Sequence, residues 1–283
     1  MKKPFKNNQK LEIGLNLFMA GLILAGVLIL MYPFVSDSLN HAINQQRLEY
    51  YQEKTDKRTA EKRKQRMKIH NQTLKKQKAI AVMDPFEEKG TQSKKGNSFT
   101  EHIIGSILIP KIKVNIPIYD QISETYLEEG AALLNGTSFP LGGKNTHAVI
   151  SAHRGLPDKK FFTDLPELKI GDTFILHVVD EKLAYKVDKI DVVEPTDKTW
   201  LSIEEGRDIV TLMTCTPYMV NTHRLLVTGH RIPYTAKMDK ESKKINRQQT
   251  GRLTFYILLG VTAVIAFLCF AFWIKKNEKE KKR

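Results

Sequence analysis

Residues 211–231 read TLMTCTPYMVNTHRLLVTGHR, and the fold reading starts from this stretch. From Thr211 to Thr216 the residues are threonine, leucine, methionine and cysteine, a composition that suits an extended chain packed on both faces. Thr216-Pro217 ends the run, because proline brings no N–H to a ladder. A short loop follows, and the chain re-enters an apolar run at His223-Arg224-Leu225-Leu226-Val227. The stretch therefore predicts two strands that pair. Side chains alternate along a strand, so Thr211, Met213 and Cys215 share one face and Leu212 and Thr214 the other. The Cys215 thiol then stands at a strand end beside a loop, where a scaffold fixes a group while the loop admits a substrate. Pairing of the two strands brings the Arg224 guanidinium toward the sulfur.

The same texture extends upstream. GSILIPKIKVNIPIYD (105–120), THAVISAHRG (146–155), DTFILHVVD (172–180), LAYKVDKIDVVEP (183–195) and DIVTLMTCTP (208–217) are short and rich in β-branched residues. Gly142-Gly143, Gly155-Leu156-Pro157 and Gly171-Asp172 separate them as turns. Several short strands at this spacing predict a mainly β domain, an antiparallel barrel or sandwich, over residues 105–235. No fixed-period repeat is present. About 130 residues of this kind can bury a core of normal domain size.

On either side lie two uncharged stretches, Ile13 to Ser36 and Leu253 to Ile274. Each is long enough to cross a hydrocarbon layer of about 30 Å as a helix, and neither has a polar face. The expected organisation is a cytoplasmic tail (1–12), a transmembrane helix (13–36) and a helical juxtamembrane segment (37–83). A lid and linker (84–104) lead to the β-domain (105–235), followed by a linker (236–252), a second transmembrane helix (253–274) and a basic tail (275–283). Ser36, Asp37 and Ser38 are N-cap candidates for a new helix after the first span, whose sparse apolar positions leave it either lying against the β-domain or standing as a stalk, and GTQSKKGNS (90–98) reads as a flexible polar connector. Lys2, Lys3, Lys6 and Lys10 precede a nearly neutral flank, which puts the N-terminus in the cytoplasm. The second span returns the C-terminus to that side and leaves the β-domain outside, in a two-pass cell-membrane protein. A cleaved signal peptide fits less well, since the apolar region is long and no A-x-A-like site follows it directly.

The net charge is +14. Much of the excess lies in the two tails and in RLEYYQEKTDKRTAEKRKQRMKIHNQTLKKQK (47–78), which reads as a solvated helix or tether attracted to anionic lipid or wall polymer. It has no interleaved aromatic platforms and no nucleic-acid motif, so no nucleic-acid partner is expected. Of the two cysteines, Cys269 lies inside the second span, which leaves Cys215 alone in the extracytoplasmic part. It has no second cysteine of this chain to pair with there, and the thiol is either inert packing or reactive.

Reactivity needs partners. Only the thiolate is a good nucleophile; a histidine must exchange the proton and later protonate a leaving amine. A donor must also meet the oxyanion, a role that suits a guanidinium. Of eight histidines, His41, His70 and His102 lie outside the strand-rich core, and His177 is mid-strand, where a solvent-facing residue is the plain reading. His147, His153, His223 and His230 stay nearly level. His153 leads slightly because it ends its strand directly before the Arg154-Gly155-Leu156-Pro157 turn. Taken singly, a buried cysteine is usually packing, a strand-end histidine ordinary and an arginine a structural ion-pair partner. No dense ligand cluster predicts a metal or other cofactor, although Glu128 and Glu129 are scattered carboxylates.

HAVISAHRGLP (147–157) and TLMTCTPYMVNTHRLLVTGHR resemble the histidine and cysteine–arginine motifs of sortases, the thiol transpeptidases of Gram-positive cell surfaces. ILIPKIKVNIPIYD (107–120) and GTSFPLGG (136–143) extend the likeness over roughly residues 105–235. The resemblance implies a closed antiparallel sortase-type β-barrel with short helices. It also implies Cys215 as nucleophile, His153 as acid–base and Arg224 at the oxyanion. The second span, the TCTP continuation and Asp84-Pro85-Phe86 are similar to the pilin-polymerising class C. There such a segment forms a lid, which implies that Asp84 pairs with Arg224 while Phe86 covers the thiol. The alternative for Asp84-Pro85 is a simple turn ending a helix. GAALLNGTS (130–138) departs from the many relatives that carry a histidine and an acidic residue there, which touches substrate contacts and not the triad. The implied activity is cleavage of an LPXTG-like motif through a thioacyl intermediate and transfer to a pilin lysine. The implied partners are pilin or LPXTG-type surface-protein precursors and the membrane. Anchoring of surface proteins to a cell-wall precursor is the near alternative, and a non-enzymatic surface scaffold the distant one.

Overall fold

The computed structural model describes residues 5–54, 57–76, 86 and 101–280. Asp84, Pro85 and the connector 90–98 lie outside the described residues. The chain divides into two units, residues 40–248 and residues 1–39 with 249–283.

Two helices come first, α1 (Phe5–Lys54) and α2 (Lys57–Lys76). The strands are β1 (Ile103–Ile109), β2 (Val114–Tyr119), β3 (Ala131–Leu133), β4 (Thr146–Ser151), β5 (Thr173–Val178), β6 (Glu181–Val193), β7 (Asp208–Thr216) and β8 (His223–Ile232). A one-turn helix α3 (Glu124–Leu127) precedes β3, and α4 (Ala236–Glu280) follows β8. The strands close into a barrel in the order β1-β2-β3-β4-β7-β8-β6-β5. Closure leaves no free sheet edge. The β2–β3 and β4–β7 pairings are parallel and the other six antiparallel. Those two contacts join strands connected by long segments rather than by hairpins, which permits the parallel sense.

Alternation sorts each strand between the barrel interior and its outer wall. On β7, Val210 and Leu212 join the central core with Ile107, Ile150, Phe174 and Tyr185. Met213 points the other way and packs with Leu134, Val149, Leu201 and Leu226. Helix α2 closes on the barrel despite its basic composition. Met67 enters the central core, Asn71 both donates to Phe139 O (2.9 Å) and accepts from Phe139 N (2.7 Å), and Arg63 donates to Ile103 O (2.7 Å). Of the two expectations for this segment, a helix against the β-domain or a stalk, the first is what forms: α2 is bound along one face, with Ala60, Met67, Asn71 and Leu74 buried.

The apolar parts of α1 and α4 make up the other unit. Both helices are long and apolar enough to cross a membrane, and Leu15, Phe18, Leu22 and Ile23 on one and Phe255, Leu258 and Ile265 on the other are exposed. Such all-round apolar surface needs an apolar solvent. No new helix starts at Ser36, Asp37 or Ser38, because α1 runs through them and Ser38 Oγ donates within it to Phe34 O (2.9 Å). A cap side chain has work only where backbone N–H groups lack partners, and here the preceding turns already supply them. Residues 236–252 form the first part of α4.

Candidate functional site

Cys215 is buried near the end of β7, the strand lying between β4 and β8. On the β8 side it stands directly opposite Arg224 in the antiparallel register. Opposed residues project to the same face, with Cβ atoms about 5 Å apart. On the β4 side the register pairs Ser151 with Met213. It persists past the strand end, since Ala152 N donates to Met213 O (3.2 Å) and Thr214 Oγ1 donates to Ala152 O (2.8 Å). Continuing that offset sets His153 beside Cys215. The thiol and the guanidinium therefore come from the adjacent strands β7 and β8, and the imidazole from two residues past the end of β4, all on one outer face.

The other histidines stand elsewhere. His147 is buried, with Nδ1 against Ser202 O (3.0 Å) and Nε2 against Thr211 Oγ1 (2.8 Å). His230 pairs through Nδ1 with Asp188 (2.9 Å) and lies six residues along β8 from Arg224, about 20 Å at strand rise. His223 neighbours Arg224 and so faces the opposite side, its Nδ1 on Thr222 Oγ1 (2.9 Å). His177 is half-buried rather than solvent-facing, in a cleft with Gln45, Asn115, Lys182 and Asn246. The helices packed on that wall cover it, and burial followed by the Lys182 charge pushes its pKa down.

Phe86 spans the two flanking groups. Its ring lies 5.5 Å from the His153 ring and 5.3 Å from the Arg224 guanidinium carbon. It also packs against the apolar floor that holds Met213 and against a cluster containing Leu48 and Tyr51 of α1. Arg224 is buried and donates from Nη1 to Asn221 O (3.0 Å) and His223 O (3.1 Å), which fixes the guanidinium plane. Burial pulls the His153 pKa below 6.5; Glu128 and Glu124 act against that shift and Lys159 adds to it. A neutral imidazole beside a thiol can exchange a proton with it.

The loop carrying His153 is tied down on both sides. Asn40 donates to Asp158 O (2.8 Å), Lys159 donates to Glu128 O (2.5 Å), and Glu129 bridges Arg47 and Lys159. Glu129 is thus engaged by two cations. The loop is bound to α1 through contacts that pair residues far apart in sequence and leave no short-range pattern. Arg154, read from sequence only as part of a turn, proves to reach the loop after Cys215. Within GAALLNGTS, Ala131 and Leu133 of β3 join the central core, Leu134 joins the outer floor, and residues 135–138 lie in the loop after β3.

A family model of the sortase domain matches residues 107–232. Among curated relatives, sortase A of Bacillus anthracis is 29% identical over 137 residues, covering 48% of this chain and 63% of that protein. The chain thus spans less than two thirds of that relative's length. Among solved structures, sortase C1 of Streptococcus agalactiae is 40% identical, covering 66% of this chain and 97% of that one, with a TM-score of 0.59. Sortase C of Streptococcus pneumoniae is 45% identical, covering 69% and 98%, with a TM-score of 0.60.

Proposed function

This chain belongs to the sortase family, and from that premise we propose that it is a membrane-anchored class C cysteine transpeptidase that joins pilin subunits. The observation that carries the proposal is the juxtaposition of Cys215 with Arg224 on one neighbouring strand and His153 at the end of the other. The Cys215 thiolate attacks the threonine carbonyl of an LPXTG-like motif. Arg224 donates to the oxyanion of the tetrahedral intermediate. Protonated His153 gives its proton to the departing glycine amine as the C–N bond breaks, leaving a thioester. A pilin lysine amine then attacks the thioester, neutral His153 takes its proton, and the C–S bond breaks to release the Cys215 thiolate as the isopeptide bond forms.

The choice of pilin as acceptor is supported by the likeness to proteins tied to pili. The S. pneumoniae relative's structure bears on pilin substrate specificity, and sortase C1 of S. agalactiae comes from a pilus island. Phe86 over His153 and Arg224 serves as a cover for the site, with Asp84 and Pro85 in the same lid segment. Lys2, Lys3, Lys6 and Lys10 before the first apolar helix support cytoplasmic termini and an extracytoplasmic barrel. Tethering fits substrates that are themselves membrane-held, because it raises their effective concentration.

The test uses full-length protein in detergent, with Cys269→Ala to leave one thiol. Incubation with an LPXTG-type peptide should add the mass of the acyl fragment, and Cys215→Ala should show none. Absence of the adduct from both this protein and its Phe86→Ala variant overturns the enzymatic reading. Supplying a pilin should yield covalent ladders; transfer only to a wall-precursor amine would make the protein an anchoring enzyme instead.

A further inference from the structure

We propose that Arg154 is a positioning residue that locks the His153 loop to the Cys215 loop. The proposal rests on the catalytic roles given above to Cys215 and His153. Strand β4 ends at Ser151 and β7 at Thr216, so the chain around both reactive groups is about to leave the sheet. Loops move more than the strands they extend. Arg154 bridges the gap from the residue directly after His153 to the residue directly after Cys215. Its Nη1 donates to Thr216 Oγ1 (3.1 Å), while Nε donates back to Thr163 O (3.2 Å) on the far side of its own loop. The guanidinium carbon lies 5.6 Å from the Tyr218 ring centroid, over the loop that follows β7.

The neighbouring glycine belongs to the same brace. Gly155 has φ of 86°, and a Cβ there would meet the Tyr218 ring at 3.1 Å. Its N–H also donates to Thr163 Oγ1 (3.2 Å). Tyr218 therefore rests against the backbone of one loop and the cation of the same loop at once. A planar fork that donates in two directions while stacking on a ring is a task for arginine, and lysine has no equivalent geometry. Displacing reacting groups by about 1 Å costs on the order of 100-fold in rate, so the brace acts on the chemistry through the placement of His153 relative to the sulfur.

The experiment compares Arg154→Lys, Arg154→Ala and Thr216→Val in the full-length Cys269→Ala protein. Thr216→Val removes the acceptor at nearly constant volume, so it tests the same bond without touching the arginine. Three readouts are taken: thioacyl-adduct kinetics, the pH profile of Cys215 alkylation, and the thermal midpoint. All three variants should lower the adduct rate constant about 10- to 100-fold with little change in KM. Alkylation should lose the inflection that reports coupling to His153 and follow a lone thiol. Glu124, Glu128, Lys159 and Arg224, the charged groups around His153, are unchanged throughout. Midpoints should stay within about 3 °C of the parent. The proposal is overturned if Arg154→Lys behaves like the parent, since charge alone would then suffice. It is equally overturned if rates fall only with the thermal midpoint while the alkylation profile keeps its inflection. Failure of the parent to form any adduct would reject the transpeptidase reading, while the alkylation profiles would still decide the role of Arg154.

Discussion

Truncating Phe86 to alanine should expose the thiol, and the size of the effect follows from what the ring touches. Its contact with the Arg224 guanidinium at 5.3 Å belongs to a class worth about 0.5–2 kcal/mol. The tilted contact with His153 at 5.5 Å belongs to one worth about 0.5–1.5 kcal/mol. Packing of a half-buried phenyl ring adds about 1 kcal/mol. These contributions overlap, and a net loss of about 2 kcal/mol corresponds to a roughly 30-fold larger opening constant. In the Cys269→Ala background a small neutral alkylating reagent at low concentration reports that constant, because reaction waits for the cover to leave. The denatured chains supply the intrinsic rate of each variant. Phe86→Ala should react about 30 times faster than the parent under native conditions and equally when unfolded. A native rate within about twofold of the parent would mean that the ring does not control access, and the gating argument would fail.

Three further outcomes can be measured. Arg224→Lys keeps the charge but loses the fork; acylation should fall by about 10²–10³, whereas alkylation, which forms no oxyanion, should change far less, and an equal loss in both assays would refute the oxyanion role. Removing the Phe86 ring should let the His153 pKa, held down chiefly by burial, rise toward 6.5; NMR titration of the imidazole in Phe86→Ala tests this, and an unmoved or lower value refutes it. Because burial also lowers the pKa of His147, the unfolded chain binds more protons than the folded one between the folded value and 6.5. Its contribution to stability is thus complete above about pH 6.5 and is lost as pH falls through the folded value, by up to about 1.4 kcal/mol per unit. His147→Gln should narrow the difference between thermal midpoints at pH 7.5 and pH 5.5, and an unchanged difference counts against the assignment.

The strand pair around Cys215 was legible because alternation survives in every side chain from Thr211 to Cys215, with Leu212 inward and Met213 outward. Barrel closure was less so. The parallel contact of β4 with β7 joins residues about sixty positions apart, and nothing local records which strands will be neighbours. Whether helix α2 docks on the barrel or stands as a stalk was not decidable for a related reason. Its buried positions, Ala60, Met67, Asn71 and Leu74, include one asparagine and are outnumbered by lysine and arginine, so no apolar stripe announces a docked face. The histidines could not be ranked by pattern because His147 and His153 share a face of the same strand. Only their height along β7 separates them, His147 opposite Ile209 and His153 level with Cys215.

The residues before the cysteine have structural work of their own, which explains why the TLMTC run is more than a label for a thiol. Thr211 Oγ1 meets His147 Nε2 (2.8 Å) and Thr228 Oγ1 (2.9 Å), closing a polar chain across β4, β7 and β8. Leu212 fills the barrel interior and Met213 the outer floor beside the thiol. Thr214, on the face opposite Cys215, spends its hydroxyl on the carbonyl of Ala152, one residue before His153. That bond prolongs the β4–β7 register by the step needed to bring the imidazole level with the sulfur. A shift of one position would turn the thiol to the other side of the sheet. The site is therefore specified twice. Thr214 holds the chain just before the histidine, and Arg154 ties the chain just after it to Thr216, one residue beyond the cysteine. His153 sits between two fixed points, as the acid–base role proposed for it requires.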